Sequence, residues 1–245
     1  MLRNFDIVIP VGQKDSEIIG EQIKYTKKNI IGYRNIYIIT YDDTLKIENC
    51  VMISEKMFPF SMKTIEKYLK NLKPRHGWYL QQLLKLYAGI IIPGILEKYL
   101  VIDADTFFLK PTTFISNDNK CLYNVGNEYN ESYFTHMKRL NEKFVKVYKD
   151  KSGICHHMIF ETKYLQILFN SVEEIHKKQF YIVFLENIKY GDYTGASEYE
   201  LYFNFISIFY KNNIKIRNLN WENVNNIENN LNKNYDYISY HWHKR

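Results

Sequence analysis

The run Phe5-Asp6-Ile7-Val8-Ile9-Pro10-Val11 constrains the chain more than any other stretch. It is almost continuously apolar and too short for a typical helix, so it reads as a buried strand. Gly12-Gln13-Lys14-Asp15 then reads as a loop, and the spacing predicts a helix from about Ser16 to Asn29. Asn35 to Thr40 is a second apolar strand that ends in Tyr41-Asp42-Asp43, and Cys50 to Ile53 is a short third. Strands separated by helical segments demand right-handed parallel crossovers, with the connecting loops gathered along one edge of the sheet. The expected fold class is therefore α/β, with a mostly parallel central sheet flanked by helices.

Further along, Gly77 to Ala88 carries apolar residues at intervals of three and four, the pattern of an amphipathic helix with Gln81, Gln82 and Lys85 on its polar stripe. Lys98-Tyr99-Leu100-Val101-Ile102 reads as a strand whose apolar run stops at Asp103-Ala104-Asp105. The acidic pair is thereby expected at a strand's carboxyl end, the edge of an open α/β sheet where ligands bind. Gly153 to Phe160 reads as a strand. Ser197 to Tyr210 reads as a helix opened by a capping box of Ser197 and Glu200, and Tyr237 to Tyr240 as a last strand. With 245 residues, 46% of them apolar and 24% charged, and no Gly/Ser/Pro-rich linker, the chain is expected to form a single domain over 1–245.

A net charge of +6 favours an anionic partner and leaves open a weak contact with an anionic surface. No Lys/Arg run interleaved with aromatics marks a dedicated nucleic-acid binder. No apolar stretch reaches the length of a membrane span. Cys50, Cys121 and Cys155 are odd in number and lack zinc-site spacing, which suits core positions in a reducing compartment. The expected location is cytoplasmic, the host cytoplasm for a viral protein.

Two carboxylates where a strand leaves the sheet suit a divalent cation that bridges a diphosphate, with open positions left for the ligand. Transfer of a sugar from a nucleoside diphosphate builds charge on the leaving group, and such an ion stabilises it.

The order of Ile7-Val8-Ile9-Pro10-Val11, the Gly77 to Tyr87 helix and Tyr99-Leu100-Val101-Ile102-Asp103-Ala104-Asp105 resembles the nucleotide-diphospho-sugar transferase (GT-A) superfamily. Gly77-Trp78-Tyr79-Leu80-Gln81-Gln82, Cys155-His156-His157-Met158 and Ser197-Glu198-Tyr199-Glu200-Leu201-Tyr202 resemble a poorly characterised DxD-containing branch found in bacteria and large DNA viruses. The resemblance implies a Rossmann-like single domain that transfers a sugar, a UDP-sugar in the favoured case, to a hydroxyl acceptor such as a glycan. It implies Mn²⁺ or Mg²⁺ held by Asp105 and Asp103, completed by a histidine near the C-terminus, His241 or alternatively His243. Pro10, Val11 and Ala104 are expected along the donor site. Lys14, Arg75 and Lys85 are expected to meet the diphosphate, and Tyr79 and Gln82 to line the same side. His156, adjacent to His157 on the expected strand, is the preferred histidine contact to donor or acceptor. Glu198 is the expected general base, kept ionised by the helix dipole, with Asp192 as second candidate; a retaining reaction would need neither.

Two other classes compete. A non-catalytic nucleotide- or glycan-binding module on the same fold would bind a nucleoside diphosphate without turning it over. A haloacid-dehalogenase-type phosphatase also uses Asp-x-Asp after a strand, usually near the N-terminus and with Thr or Val two places after the second Asp, where this chain has Phe107. A nucleotidyltransferase would call for a Gly-rich basic loop after the first strand, and none is evident.

Overall fold

The computed structural model describes residues 5–189, 191, 193–230 and 233–241. In chain order it contains β1 (Phe5–Val11), α1 (Ile19–Asn29), β2 (Ile30–Ile31), β3 (Tyr33–Thr40), β4 (Val51–Ser54), α2 (Met62–Tyr68), α3 (His76–Ile91) and β5 (Lys98–Ile102). There follow β6 (Thr106–Phe108), β7 (Thr112–Thr113), β8 (Cys121–Asn124), α4 (Glu131–Leu140), β9 (His157–Glu161), α5 (Thr162–His176), α6 (Phe180–Glu186) and α7 (Glu198–Phe209). The last elements are β10 (Ile214–Arg217), β11 (Trp221–Asn223) and β12 (Tyr237–Ser239).

The main sheet has the order β4-β3-β1-β5-β9. Its first four strands are parallel and β9 runs antiparallel to β5. The fold is thus α/β with a mostly parallel central sheet, as the strand and helix alternation predicts. Every residue of β1 is buried, which explains its nearly unbroken apolar run: a central parallel strand is covered on both faces. Asp6 is the exception in composition, and it is satisfied at the amino-terminal edge of the sheet. The Arg34 guanidinium donates to it through Nε (3.1 Å) and Nη2 (2.6 Å), and the amides of Asn35 (3.0 Å) and Leu96 (2.8 Å) donate as well.

Two boundaries differ from expectation. The first helix begins at Ile19 rather than Ser16, after a 3-10 turn over Gln13–Asp15. The strand expected from Gly153 begins only at His157, because His156 has φ +59°, a left-handed conformation that ends any extended run. The α3 polar stripe also differs: Gln82 and Lys85 are buried, since α3 runs under α7 and not along solvent.

Cys50, Cys121 and Cys155 are free thiols, the last two buried. Among the described residues no helix is long and apolar enough to cross a membrane.

Candidate functional site

The chain leaves β5 through Asp103-Ala104-Asp105 and turns at once into β6, the Thr106 amide donating to the Asp103 carbonyl at 2.9 Å. A small sheet of order β11-β12-β6 builds on that turn. β12 pairs antiparallel with β6, Ser239 opposite Thr106, and just beyond it the Tyr240 amide donates to the Asp105 carbonyl at 2.8 Å. This register is what delivers His241 to the acidic pair: its Nδ1 lies 3.0 Å from Asp105 Oδ2. On the other side the Asp103 amide donates to the His156 carbonyl at 2.9 Å, fixing the loop before β9 against the same turn. Gly153 lets that loop approach α7, since a Cβ there would stand 2.8 Å from the Tyr199 carbonyl oxygen.

Among the described residues four non-glycines have positive φ, and three of them, Asn49, Asn119 and Lys177, are exposed. His156 is buried. A left-handed backbone at a β-carbon residue costs roughly 1–2 kcal/mol, and such strain collects where a side chain must be aimed. Here the conformation aims the imidazole at the acidic pair: His156 Nδ1 lies 3.5 Å from Asp103 Oδ2, and the ring meets that of His241 at 4.9 Å. The adjacent His157 points into an aromatic enclosure of Phe108, Phe114 and Tyr237, where burial drives its imidazole down to about 3 and keeps it neutral.

Asp103 Oδ1 accepts from Tyr199 Oη at 2.9 Å and pairs with Lys85 Nζ at 2.6 Å; the same ammonium pairs with Glu198 Oε1 at 2.7 Å. Lys85 is 3% exposed. Burial alone would lower its ammonium, yet Asp103 and Glu198 hold it above the ordinary lysine range. Burial would raise Asp103, and the Lys85 charge together with the His156 hydrogen bond overcomes this and holds its carboxyl well below the usual range. Glu198 goes the other way. Burial raises it, Lys85 opposes this in part, and Asp103 adds repulsion. Dipole stabilisation at a helix start, the sequence expectation, loses to desolvation because Glu198 is 3% exposed.

The α3 residues Tyr79, Gln82 and Lys85 lie one turn apart and all face the start of α7. Tyr79 Oη accepts from the Gly195 amide at 2.8 Å and Gln82 Oε1 from the Glu198 amide at 3.2 Å, so both meet amide donors at the approach to and start of that helix. Gln82 Nε2 is left without a hydrogen-bond partner. Ser197 caps α7 by accepting from the Glu200 amide. The Glu200 carboxylate does not return the bond as a capping box requires; Asn204 Nδ2 donates to it instead, at 2.8 Å.

The acidic turn therefore gathers Lys85, Asp103, Ala104, Asp105, His156, Glu198 and His241, with Tyr79 and Gln82 supporting it from α3. Pro10 and Val11 close β1, buried, at the same carboxyl edge, and Lys14 follows in the exposed 3-10 turn. Arg75 stands apart. Ten residues before Lys85 on nearly continuous helix, it is about 15 Å away along the axis, and its guanidinium packs over Trp78 and Tyr193 at 5.4 and 4.3 Å. Asp192 and His243 lie outside the described residues. Sequence reasoning missed Tyr199 and Trp221. Trp221 packs edge-on to His156 at 5.0 Å and lies in an Asn-rich stretch that carries no motif.

Among the described residues no three His, Cys, Asp or Glu side chains already stand as a ligand set. The donor chemistry nevertheless fits a hard or borderline divalent ion. Asp105 and His241 present oxygen and nitrogen 3.0 Å apart, the separation of two neighbouring ligands each about 2.1 Å from one ion. Asp103, Asp105 and Glu198 set three carboxylates against the single ammonium of Lys85, a surplus that draws in a cation.

Residues 23–240 match the model of a family described as "Family of unknown function (DUF6492)". No curated protein matches the chain in sequence. Among solved structures, mouse xyloside xylosyltransferase 1 in its apo form is similar over 98% of this chain and 99% of its own, at 9% identity and a TM-score of 0.48. A structure of an active-site mutant of LgtC is similar over 96% of this chain and 86% of its own, at 11% identity and a TM-score of 0.49.

Proposed function

The chain belongs to that family, and we propose that it is a metal-dependent glycosyltransferase of GT-A type. It moves a sugar from a nucleoside-diphosphate sugar, a UDP-sugar in the favoured form, to a hydroxyl of a glycan acceptor. The observation that carries this is the convergence of Asp103, Asp105, His156, His241 and Lys85 on one turn at the carboxyl edge of a parallel sheet.

In this assignment Asp105 and His241, with Asp103 Oδ2 facing the same turn, would hold Mn²⁺ or Mg²⁺, which would supply positive charge to a departing diphosphate. Lys85 and Tyr199 occupy Asp103 Oδ1 and so fix the direction of its second oxygen. Pro10, Val11, Lys14 and Ala104 contact the nucleoside diphosphate along the edge. Lys85 is committed to two carboxylates, so its part is to orient Asp103 more than to bind phosphate directly.

Glu198 gives Oε1 to that ammonium and is almost fully enclosed, so it is not open to an incoming acceptor hydroxyl. This favours a retaining transfer, which needs no base. It equally favours the second reading, a non-catalytic module that binds a nucleoside diphosphate without turnover. Incubation with a panel of nucleotide-sugars distinguishes them. Free nucleoside diphosphate released with Mn²⁺, and abolished by EDTA, is the expected result. Thermal stabilisation by the same compounds with no release from any of them would establish the binding module, and phosphate release from a generic phosphoester would point to a phosphatase.

A further inference from the structure

Beside the acidic turn lies an open cleft of about 720 Å³, walled by Val125 to Glu128, by Asp150 and Lys151, and by Asn218 to Asn223. Trp221 joins the two spaces. It lines the cleft, its ring lies flat on Tyr237 (5.5 Å, 7° between planes), and its edge meets His156, whose Nδ1 is 3.5 Å from Asp103. The indole and the His156 imidazole thus form one chain of contacts from the cleft wall to the acidic pair. Trp221 is also rigidly placed, on a strand paired residue for residue with β12, which in turn pairs with β6.

The lining has a character opposite to that of the whole chain. The protein carries a net charge of +6, yet Glu128, Asp150 and Glu222 face the cleft against one cation, Lys151. An anionic occupant, whether phosphorylated, sulfated or the face of an acidic membrane, is repelled there. The remaining polar groups are mostly amides, Asn127, Asn218, Asn220 and Asn223, each able to donate and accept. Hydroxyls have the same double capacity, and a sugar ring also presents a C–H face that suits a fixed indole. The volume lies in the range that encloses a ligand of some twenty or more heavy atoms, larger than one monosaccharide. His156, 8% exposed, keeps its Nε2 without a hydrogen-bond partner directly behind Trp221.

We infer that this cleft holds the acceptor, and that the acceptor is an uncharged oligosaccharide seated against Trp221. This rests on the assignment of glycosyl transfer to the neighbouring turn, and it adds which class of acceptor that reaction takes. The carboxylates alone would also suit a basic peptide; the amides and the stacked indole favour the sugar.

The test uses the full chain on an array of neutral, sulfated and sialylated glycans, with a decalysine peptide as counter-probe and UDP plus Mn²⁺ measured in parallel. Neutral oligosaccharides should bind, and both Trp221→Ala and the exposed-loop double variant Asn127→Ala/Glu128→Ala should weaken them by about tenfold or more. UDP affinity in the double variant should stay within about twofold of the unaltered chain, since neither residue touches the acidic turn. Binding of no neutral glycan, binding of sulfated glycans or decalysine alone, or neutral binding that the double variant leaves unchanged would each overturn the inference. Loss of UDP binding by the unaltered chain would instead strike the donor assignment, so the two failures are read separately.

Discussion

Asp6, in β1, and Asp103, just past the end of the neighbouring β5, are the same side chain at opposite edges of one sheet, and they are held in opposite ways. Asp6 is fully buried and takes four hydrogen bonds from the Arg34 guanidinium and two backbone amides. None of those donors titrates near neutrality. Asp103 is held by Lys85, Tyr199 and His156, side chains from α3, α7 and the loop before β9. Asp105 beside it has the His241 imidazole at 3.0 Å. A carboxylate saturated by fixed donors locks strands together. One held by side chains that have other partners can exchange them for a ligand, and the sheet places that kind at the edge where its strands open out.

The difference is open to attack in order of effect. Asp6→Ala leaves two backbone amides without their acceptor and takes from Arg34 one of its partners, the Gly94 carbonyl remaining, and should cost about 4 kcal/mol in urea unfolding while UDP affinity of the folded fraction is unchanged. A cost under about 1 kcal/mol would erase the distinction. Lys85→Met removes the ammonium from buried Glu198 and from half-buried Asp103, which keeps Tyr199 and His156, and should cost about 3 kcal/mol; Lys85→Met/Glu198→Gln should recover part of that loss because the stranded Glu198 charge is gone. Equal costs for the single and double variants would show that Glu198 does not share the ammonium.

The smallest effect calibrates the acid limb. His136 is buried, and desolvation, against the bond to the Phe184 carbonyl, lowers its imidazole to about 4. The unfolded chain binds that proton first, so stability present above the ordinary value near 6.5 is lost as pH falls toward 4. His136→Leu should flatten unfolding free energy across that window. Asp103, whose carboxyl is depressed, contributes stability that is lost only at lower pH, below the ordinary carboxylate range.

Much of this architecture is legible in the chain. Phe5 to Val11 and Lys98 to Ile102 are apolar because both faces are covered, so periodicity finds them, and the arrest of the second run at Asp103 marks the sheet edge. Local signals fail where a distant partner decides. Nothing in the helical pattern of Gly77 to Ala88 says that Gln82 and Lys85 face Glu198, 113 to 116 residues away, and not water. His156 leaves the strand because its carbonyl and ring are both claimed by Asp103, a contact across the sheet that no window of sequence contains. Tyr199 is one more aromatic in an aromatic helix until its hydroxyl is seen on Asp103, and the Glu200 carboxylate turns to Asn204 although its spacing from Ser197 fits a capping box.

The central claim is that Asp105 binds an ion and does not merely close a turn. Calorimetry of UDP with and without Mn²⁺, on the unaltered chain and on Asp105→Ala, tests it most directly. The account predicts at least tenfold tighter UDP binding with Mn²⁺, about 1.4 kcal/mol or more, and loss of that gain in a variant that unfolds within about 1 kcal/mol of the parent. Equal affinity with and without the ion in the unaltered chain would contradict it.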